Sequence, residues 1–230
     1  MTDKVPVITI DGPVGAVKGA IAQRLAERLG FHLLDSGALY RVLAVAAAKE
    51  DIRDDDADAL GSLAGKLVVR FEPSGDPDEP LDVILDEQEV TQAIRTNEAG
   101  EMASRISPLT EVRMGLRDLQ RSFRRSPGLV ADGRDMGTVV FADAVLKIYL
   151  TASAEVRAER RYKQLKHKDI GVSLHALLES IRERDERDMQ RAVAPLRPAD
   201  DAFTLDSTDL DIDAVLAQVM NLVRQRGIID

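Results

Sequence analysis

Cysteine is absent from the 230-residue sequence. That excludes disulfides and thiolate metal sites and fits a reducing compartment. Long apolar runs are missing too. The longest, Val42 to Ala48, cannot span a bilayer, and Val5 to Ile10 is too short for the core of a signal peptide. A cytoplasmic protein with no membrane partner is expected. Excess positive charge is also lacking: the formal net charge is −9, which argues against nucleic-acid binding through a broad basic surface. The five phenylalanines and three tyrosines are too scattered for a base-stacking platform. His32, His167 and His175 have no metal-ligand spacing and read as structural or surface residues. There is no internal repeat and no low-complexity tract. What remains is a globular composition, 44% apolar and 31% charged, long enough for one large domain or a core with small insertions.

The most informative stretch runs from Ile8 to Leu29. Val5, Val7, Ile8 and Ile10 form a short β-branched run that reads as a buried strand, stopped by the turn signal Asp11-Gly12-Pro13. After Lys18, apolar residues at Ile21, Ala22, Leu25, Ala26 and Leu29 mark one helix face, and Gly30 ends it. Strand, glycine loop, lysine and helix is the layout of a phosphate-binding loop, in which backbone amides and a helix N-terminus surround an anion. The full pattern wants glycine before the lysine, where Val17 stands, and a hydroxyl just after it, where Gly19 and Ala20 stand. The alternative is an ordinary strand-to-helix turn with a chance lysine, and the loop alone does not choose between them.

Phe31 to Asp35 repeats the strand signal and a helix from about Ala38 to Lys49 follows, so a parallel sheet with helical crossovers is expected. In such sheets ligands bind beyond the carboxyl ends of the strands. The middle breaks this rhythm. Leu67–Phe71 and Leu81–Leu85 read as paired strands around a turn-rich joint, Glu72 to Pro80, and look like a small antiparallel insert. Helical stretches from about Val90 to Ser104 and Leu109 to Phe123 lead back. Gly128–Gly133, Val145–Leu150 and Phe203–Leu205 read as further strands, Ser153 as a helix cap, and Ser173–Met189 and Ile212–Val223 as helices. Arg157 to Lys168 is the most basic segment.

Arg184, Asp188 and Arg191 share one helix face; taken alone, a solvated face laced with weak ion pairs accounts for them. Asp132-Gly133-Arg134-Asp135 places charge at the end of a buried strand, where α/β proteins put function, although a helix cap would explain either acid. Tyr40 and Arg41 follow the second strand and could meet an anion.

With these residues in view, the chain resembles the bacterial cytidylate kinases, the CMP/dCMP branch of the nucleoside monophosphate kinases. The resemblance covers nearly the whole chain. Its motifs are Ile10–Pro13, Leu34–Arg41, Ala131–Phe141, Glu183–Asp188, Arg191–Leu196 and Leu205–Thr208. It implies a P-loop NTPase-like fold: a five-stranded parallel sheet flanked by helices, with residues 1–63 and 106–230 as kinase core, 64–105 as a small β-containing CMP-binding insert, and 157–171 as a helical lid. It implies transfer of a phosphoryl group from ATP, with Mg²⁺, to CMP or dCMP in a monomer. Carried over by position, Gly12, Pro13, Val14, Gly15, Ala16, Val17, Lys18, Gly19 and Ala20, with Arg157 and Arg161, would meet ATP. Ser36, Tyr40, Arg41, Ser104, Arg113, Asp132, Arg134, Asp135, Arg184, Asp188 and Arg191 would meet the acceptor nucleotide. Lys18, Arg134, Arg184 and Arg191 would serve the chemistry, and no protein metal site is implied. The departures lie in the donor loop, at Val14, Val17 and Ala20. A catalytically silent CMP-binding relative is the alternative. A kinase for another small molecule such as shikimate fits the insert and the Asp132–Asp135 motif less well.

Overall fold

The computed structural model describes residues 4–74, 81–166 and 171–229. In chain order the elements are β1 (Val7–Asp11), α1 (Lys18–Leu29), β2 (His32–Asp35), α2 (Ser36–Lys49), α3 (Ala57–Ala64), β3 (Val69–Pro73), β4 (Leu81–Leu85) and β5 (Gln88–Glu89). After a 3-10 turn at Ala93–Arg95 come α4 (Asn97–Ile106), α5 (Thr110–Ser122) and β6 (Leu129–Gly133). A π-helical turn at Met136–Val140 precedes β7 (Leu146–Thr151), α6 (Ala154–Lys166), α7 (Leu174–Met189), β8 (Phe203–Asp206) and α8 (Ile212–Gln225). The chain divides into two compact units, one of residues 1–34 with 123–230 and the other of residues 35–122. Among the described residues no helix is long and apolar enough to cross a membrane.

The first unit is built on the five-stranded parallel sheet, in the order β2-β6-β1-β7-β8. Every residue of β1 is buried, as a central strand covered on both faces must be. It pairs with β6 from Val7↔Leu129 to Asp11↔Gly133 and with β7 from Ile8↔Leu146 to Asp11↔Tyr149. Ile21, Leu25 and Ala22 of α1 and Val215, Leu216 and Val219 of α8 close over Ile8, Ile10, Val130 and Ile148. Each such large apolar side chain contributes roughly 1.5–3 kcal/mol on burial. Gly30, at φ 65°, ends α1 in the left-handed conformation, as its sequence position suggests. Because β1 lies between β6 and β7, the chain leaving its carboxyl end enters the place where parallel sheets open a binding crevice.

The second unit holds the antiparallel sheet β3-β4-β5, with Phe71 opposite Val83, and helices α2 to α5. The expected insert, residues 64–105, lies within this unit. Residues 75–80 of the turn-rich joint, and His167 with the rest of 167–170 in the expected lid, lie outside the described residues. Two of the expected helices shift, and one turn is new. Helix α2 starts at Ser36 instead of Ala38, because the Asp35 carboxylate accepts the Ala38 N–H at 3.0 Å and caps the helix earlier. In place of the helical stretch expected from Val90 there is only the 3-10 turn at Ala93–Arg95, which breaks at the extended Thr96, whose hydroxyl accepts the Ala99 N–H to start α4. The π-helical turn at 136–140 had no sequence signal.

Candidate active site

The loop between β1 and α1 has the conformation its glycines prescribe. Gly12 has φ 150° and Gly15 φ 77°. A methyl group at Gly12 would lie 1.9 Å from the Leu150 carbonyl oxygen, and one at Gly15 would lie 3.1 Å from Arg157 Cβ. Only glycine fits the first position. Val17 has φ 54° and ψ 17°, in the left-handed region. This is where the full pattern wants glycine, and a β-branched residue there is strained. The loop therefore keeps its turn in spite of its sequence. Helix α1 has no acidic side chain in its first turn and no side-chain cap, which leaves the positive end of its dipole toward the loop. Lys18 is buried; its ammonium donates to the Pro13 carbonyl at 2.9 Å and stands 3.9 Å from Asp132 Oδ1.

Charged side chains gather in the same unit. The Asp188 carboxylate accepts from Arg134 Nε at 3.0 Å and from Arg191 Nη2. Their side chains are 6%, 19% and 7% exposed, so this is no solvated face. Burial acts to raise the Asp188 pKa, but the cations of Arg134, Arg191 and Arg184 outweigh it and hold the carboxyl below its ordinary value. Arg157, four residues before the exposed Arg161 on α6, is buried. It donates to the Ala152 carbonyl at 2.9 Å, to the Val14 carbonyl at 3.1 Å, and to both oxygens of Asp185 at 3.0 and 2.5 Å. Four of the five guanidinium N–H groups are thereby engaged. The pair ties the loop between β1 and α1 to α7, the helix that also carries Arg184 and Asp188. Asp185 was not singled out by sequence reasoning; its position three residues before Asp188 on one helix face was the available signal.

A second residue was missed. Asp11, at the end of β1, is buried, and its oxygens accept the N–H groups of Met136 at 2.8 Å and Gly137 at 2.7 Å. Burial pushes this carboxyl from an ordinary 3.8 up to about 7; the two amides oppose the rise and the charges of Asp135 and Asp132 add to it. Between those values the folded protein holds a proton that the unfolded chain has released. This group therefore makes the fold less stable as pH rises through that window, by at most about 1.4 kcal/mol per pH unit. Asp143, held down by Lys4 and Arg124, and Asp201, held down by Lys147, titrate below the window. Asp11→Asn is expected to flatten the decline in urea-unfolding stability measured between pH 4 and 7. An unchanged slope would place the proton on another group.

The remaining candidates lie in the second unit. Ser36, Tyr40 and Arg41 are on α2, and Ser36 and Tyr40 are buried on one face of it. The Tyr40 hydroxyl accepts from Arg113 Nη1 at 3.3 Å, and the same nitrogen donates to the Ser107 carbonyl at 3.2 Å. Arg41 donates to the Ile94 carbonyl at 3.0 Å, and a methyl at Gly100 would touch its guanidinium at 3.5 Å. Ser104 is one turn further along α4 from Gly100. The structure thus brings Tyr40, Arg41 and Arg113 together within this unit, and Lys18, Asp132, Arg134, Asp188 and Arg191 together in pairs and clusters in the other.

A parallel sheet whose central strand runs through a glycine loop into a lysine-headed helix defines a P-loop kinase-like α/β protein. The comparisons narrow the class. The cytidylate kinase family model matches residues 8–225, so the chain belongs to the cytidylate kinase family. A cytidylate kinase of Pseudomonas paraeruginosa (strain DSM 24068 / PA7) is 56% identical over 227 residues, covering 99% of each chain. One from Aeromonas salmonicida (strain A449) is 54% identical over 226 residues, covering 98% of this chain and 97% of its own. Among solved structures, an uncharacterized protein from Eubacterium ventriosum ATCC 27560 has a TM-score of 0.54 at 11% identity, covering 96% of this chain and 99% of its own. That likeness concerns the fold alone.

Proposed function

We propose that this chain transfers the terminal phosphoryl group of ATP to CMP or dCMP, giving ADP and CDP or dCDP, within pyrimidine nucleotide metabolism. The observation that carries the reading is the family match across residues 8–225, to which the buried Arg134–Asp188–Arg191 cluster gives chemical sense. In the transfer, the bond from the terminal phosphorus of ATP to its bridging oxygen breaks and one to a CMP phosphate oxygen forms. The acceptor is already an anion, so no strong base is required; positioning and charge neutralisation are. Lys18, Arg134, Arg184 and Arg191 are the cations for that task. The loop from Gly12 to Ala20 takes the ATP phosphates, with Arg157 holding its Val14 carbonyl in place and Arg161 available on the exposed face of α6. Carried over from the family resemblance, Ser36, Arg41 and Arg134 are assigned the CMP phosphate and its surroundings, and Ser104, Arg113 and Asp135 the base. Cytosine offers an N4 amino donor that a carboxylate accepts and uracil cannot supply. Asp132 completes the acceptor set.

The turn at Gly12, Gly15 and Val17 fits a chain of phosphates. When bound, Mg²⁺ would neutralise charge on those phosphates. The side chain of Ala20 offers it no oxygen, so the phosphates and water would hold it. The reading includes a cytoplasmic monomer, supported by the cysteine-free sequence and the family resemblance. The test is ADP release from Mg-ATP with and without CMP, with calorimetry of CMP binding alongside. CMP-dependent release is the expected result. A folded protein that takes up CMP but releases no ADP would reduce the function to CMP capture.

A further inference from the structure

Arg134 and Asp135 occupy a two-residue span between Gly133, the last residue of β6, and Met136, the first of the π-helical turn. Both ends of that span are held by one residue. Asp11 stands opposite Gly133 in the strand ladder, and its side chain takes the amides of Met136 at 2.8 Å and Gly137 at 2.7 Å. The turn itself closes by Val140 N–H to Asp135 O at 3.2 Å and Phe141 N–H to Met136 O at 2.7 Å. That pattern satisfies amides at its far end and leaves those of its first residues to be met from outside. Asp11 meets two of them. Packing adds a second constraint: a methyl group at Gly137 would lie 2.7 Å from Thr9 Oγ1, 3.2 Å from Lys147 Cδ and 3.3 Å from Asp11 Oδ2. The turn is seated directly on the sheet, and Asp135 is kept at φ −144°, ψ 22° between its anchors.

We propose that Asp11 is the positioning residue for Arg134 and Asp135, and that the preference for cytosine over uracil depends on its two-amide clamp. The inference rests on the reading above in which Asp135 meets the cytosine amino group. In this proposal Asp11, which is buried against the turn, does not itself meet the nucleotide. It acts by fixing where the two side chains that do so begin, and it sits immediately before Gly12, the root of the donor loop.

The test is calorimetric titration of three variants with CMP and with UMP, which needs no turnover. Asp11→Asn keeps the volume and one acceptor but turns an NH₂ group toward one of the amides. It is expected to weaken CMP binding about tenfold and to shrink the CMP-over-UMP preference by a similar factor. Gly137→Ala displaces the same segment with the carboxylate intact and is expected to shift the preference in the same direction; it also carries the test should Asp11→Asn not fold. Asp135→Asn is the reference and should abolish the preference. If Asp135→Asn abolishes it while folded Asp11→Asn and Gly137→Ala keep the wild-type ratio, Asp11 is a stabilising residue only and the proposal is overturned. If Asp135→Asn keeps the ratio, the cytosine reading fails first and the proposal with it. A lowered melting temperature alone, which any structural role would give, does not count in its favour.

Discussion

Val17→Gly combined with Ala20→Thr is expected to raise CMP-dependent ADP release by about two to three orders of magnitude, the worth of one preorganised donor in a phosphoryl- or acyl-transfer site. Glycine lets the Val17 amide relax toward a bound phosphate, and threonine supplies the hydroxyl that the loop lacks. The stability of Val17→Gly gives an independent reading. Holding valine at φ 54° costs about 2 kcal/mol. Against that relief stand the loss of a partly buried side chain packed on the core, about 1 kcal/mol, and the added freedom of glycine in the unfolded chain, about 0.4–1 kcal/mol. The terms nearly cancel, so the melting temperature should hardly move. The same change at an unstrained half-buried position would cost about 2 kcal/mol. A large drop in melting temperature would show that valine is relaxed there. Unchanged ADP release in the double variant would show that the loop does not limit turnover.

Asp188→Ala is expected to destabilise the fold by about 3–5 kcal/mol, measured by urea unfolding at neutral pH. The magnitude follows from which regime the ion pairs occupy. Exposed pairs are worth about 0.2–1 kcal/mol. Here Asp188 and Arg191 are almost wholly buried and Arg134 mostly so, and removing the carboxylate leaves cations facing one another without their shared anion. Because Arg134, Arg191 and Arg184 hold the Asp188 carboxyl below its ordinary value, its contribution is present above the usual carboxylate pKa. It is lost as pH falls through the lower folded value. CMP-dependent turnover should fall with it, since Arg134 and Arg191 lose their common anchor. A loss below 1 kcal/mol would return this face to the solvated reading.

What could be read before the structure was local. The β-branched run, the turn at Asp11-Gly12-Pro13 and the helix face after Lys18 each declare themselves within a few residues, and α1 ends at Gly30 as read. Val17 was legible as a misfit because the pattern demands glycine, and its positive φ gives the physical reason. The spacing of Arg184, Asp188 and Arg191 was visible, but whether that face met water was not. Its burial depends on Arg134, which is 54 residues from Asp188 in sequence. The same holds for Arg157 and Asp185, 28 residues apart, and for Asp11 and Met136, 125 apart. Periodicity tells which residues share a face; it does not name the distant partner that covers it. The π-helical turn left no mark because it consists of one extra residue per turn in an apolar stretch, Met136 to Val140, that reads equally well as strand or helix.

The loop between β1 and α1 has unequal ends. At its root, Gly12 lies against the Leu150 carbonyl so closely that no side chain can enter without parting β1 from β7. At its tip, Val17 is accommodated at modest strain, with its side chain resting on the core. The tolerance of this loop to substitution is therefore one-sided. A side chain at the root would be felt in folding, whereas a change at the tip leaves the fold standing and is expected to be read in the chemistry proposed for the loop.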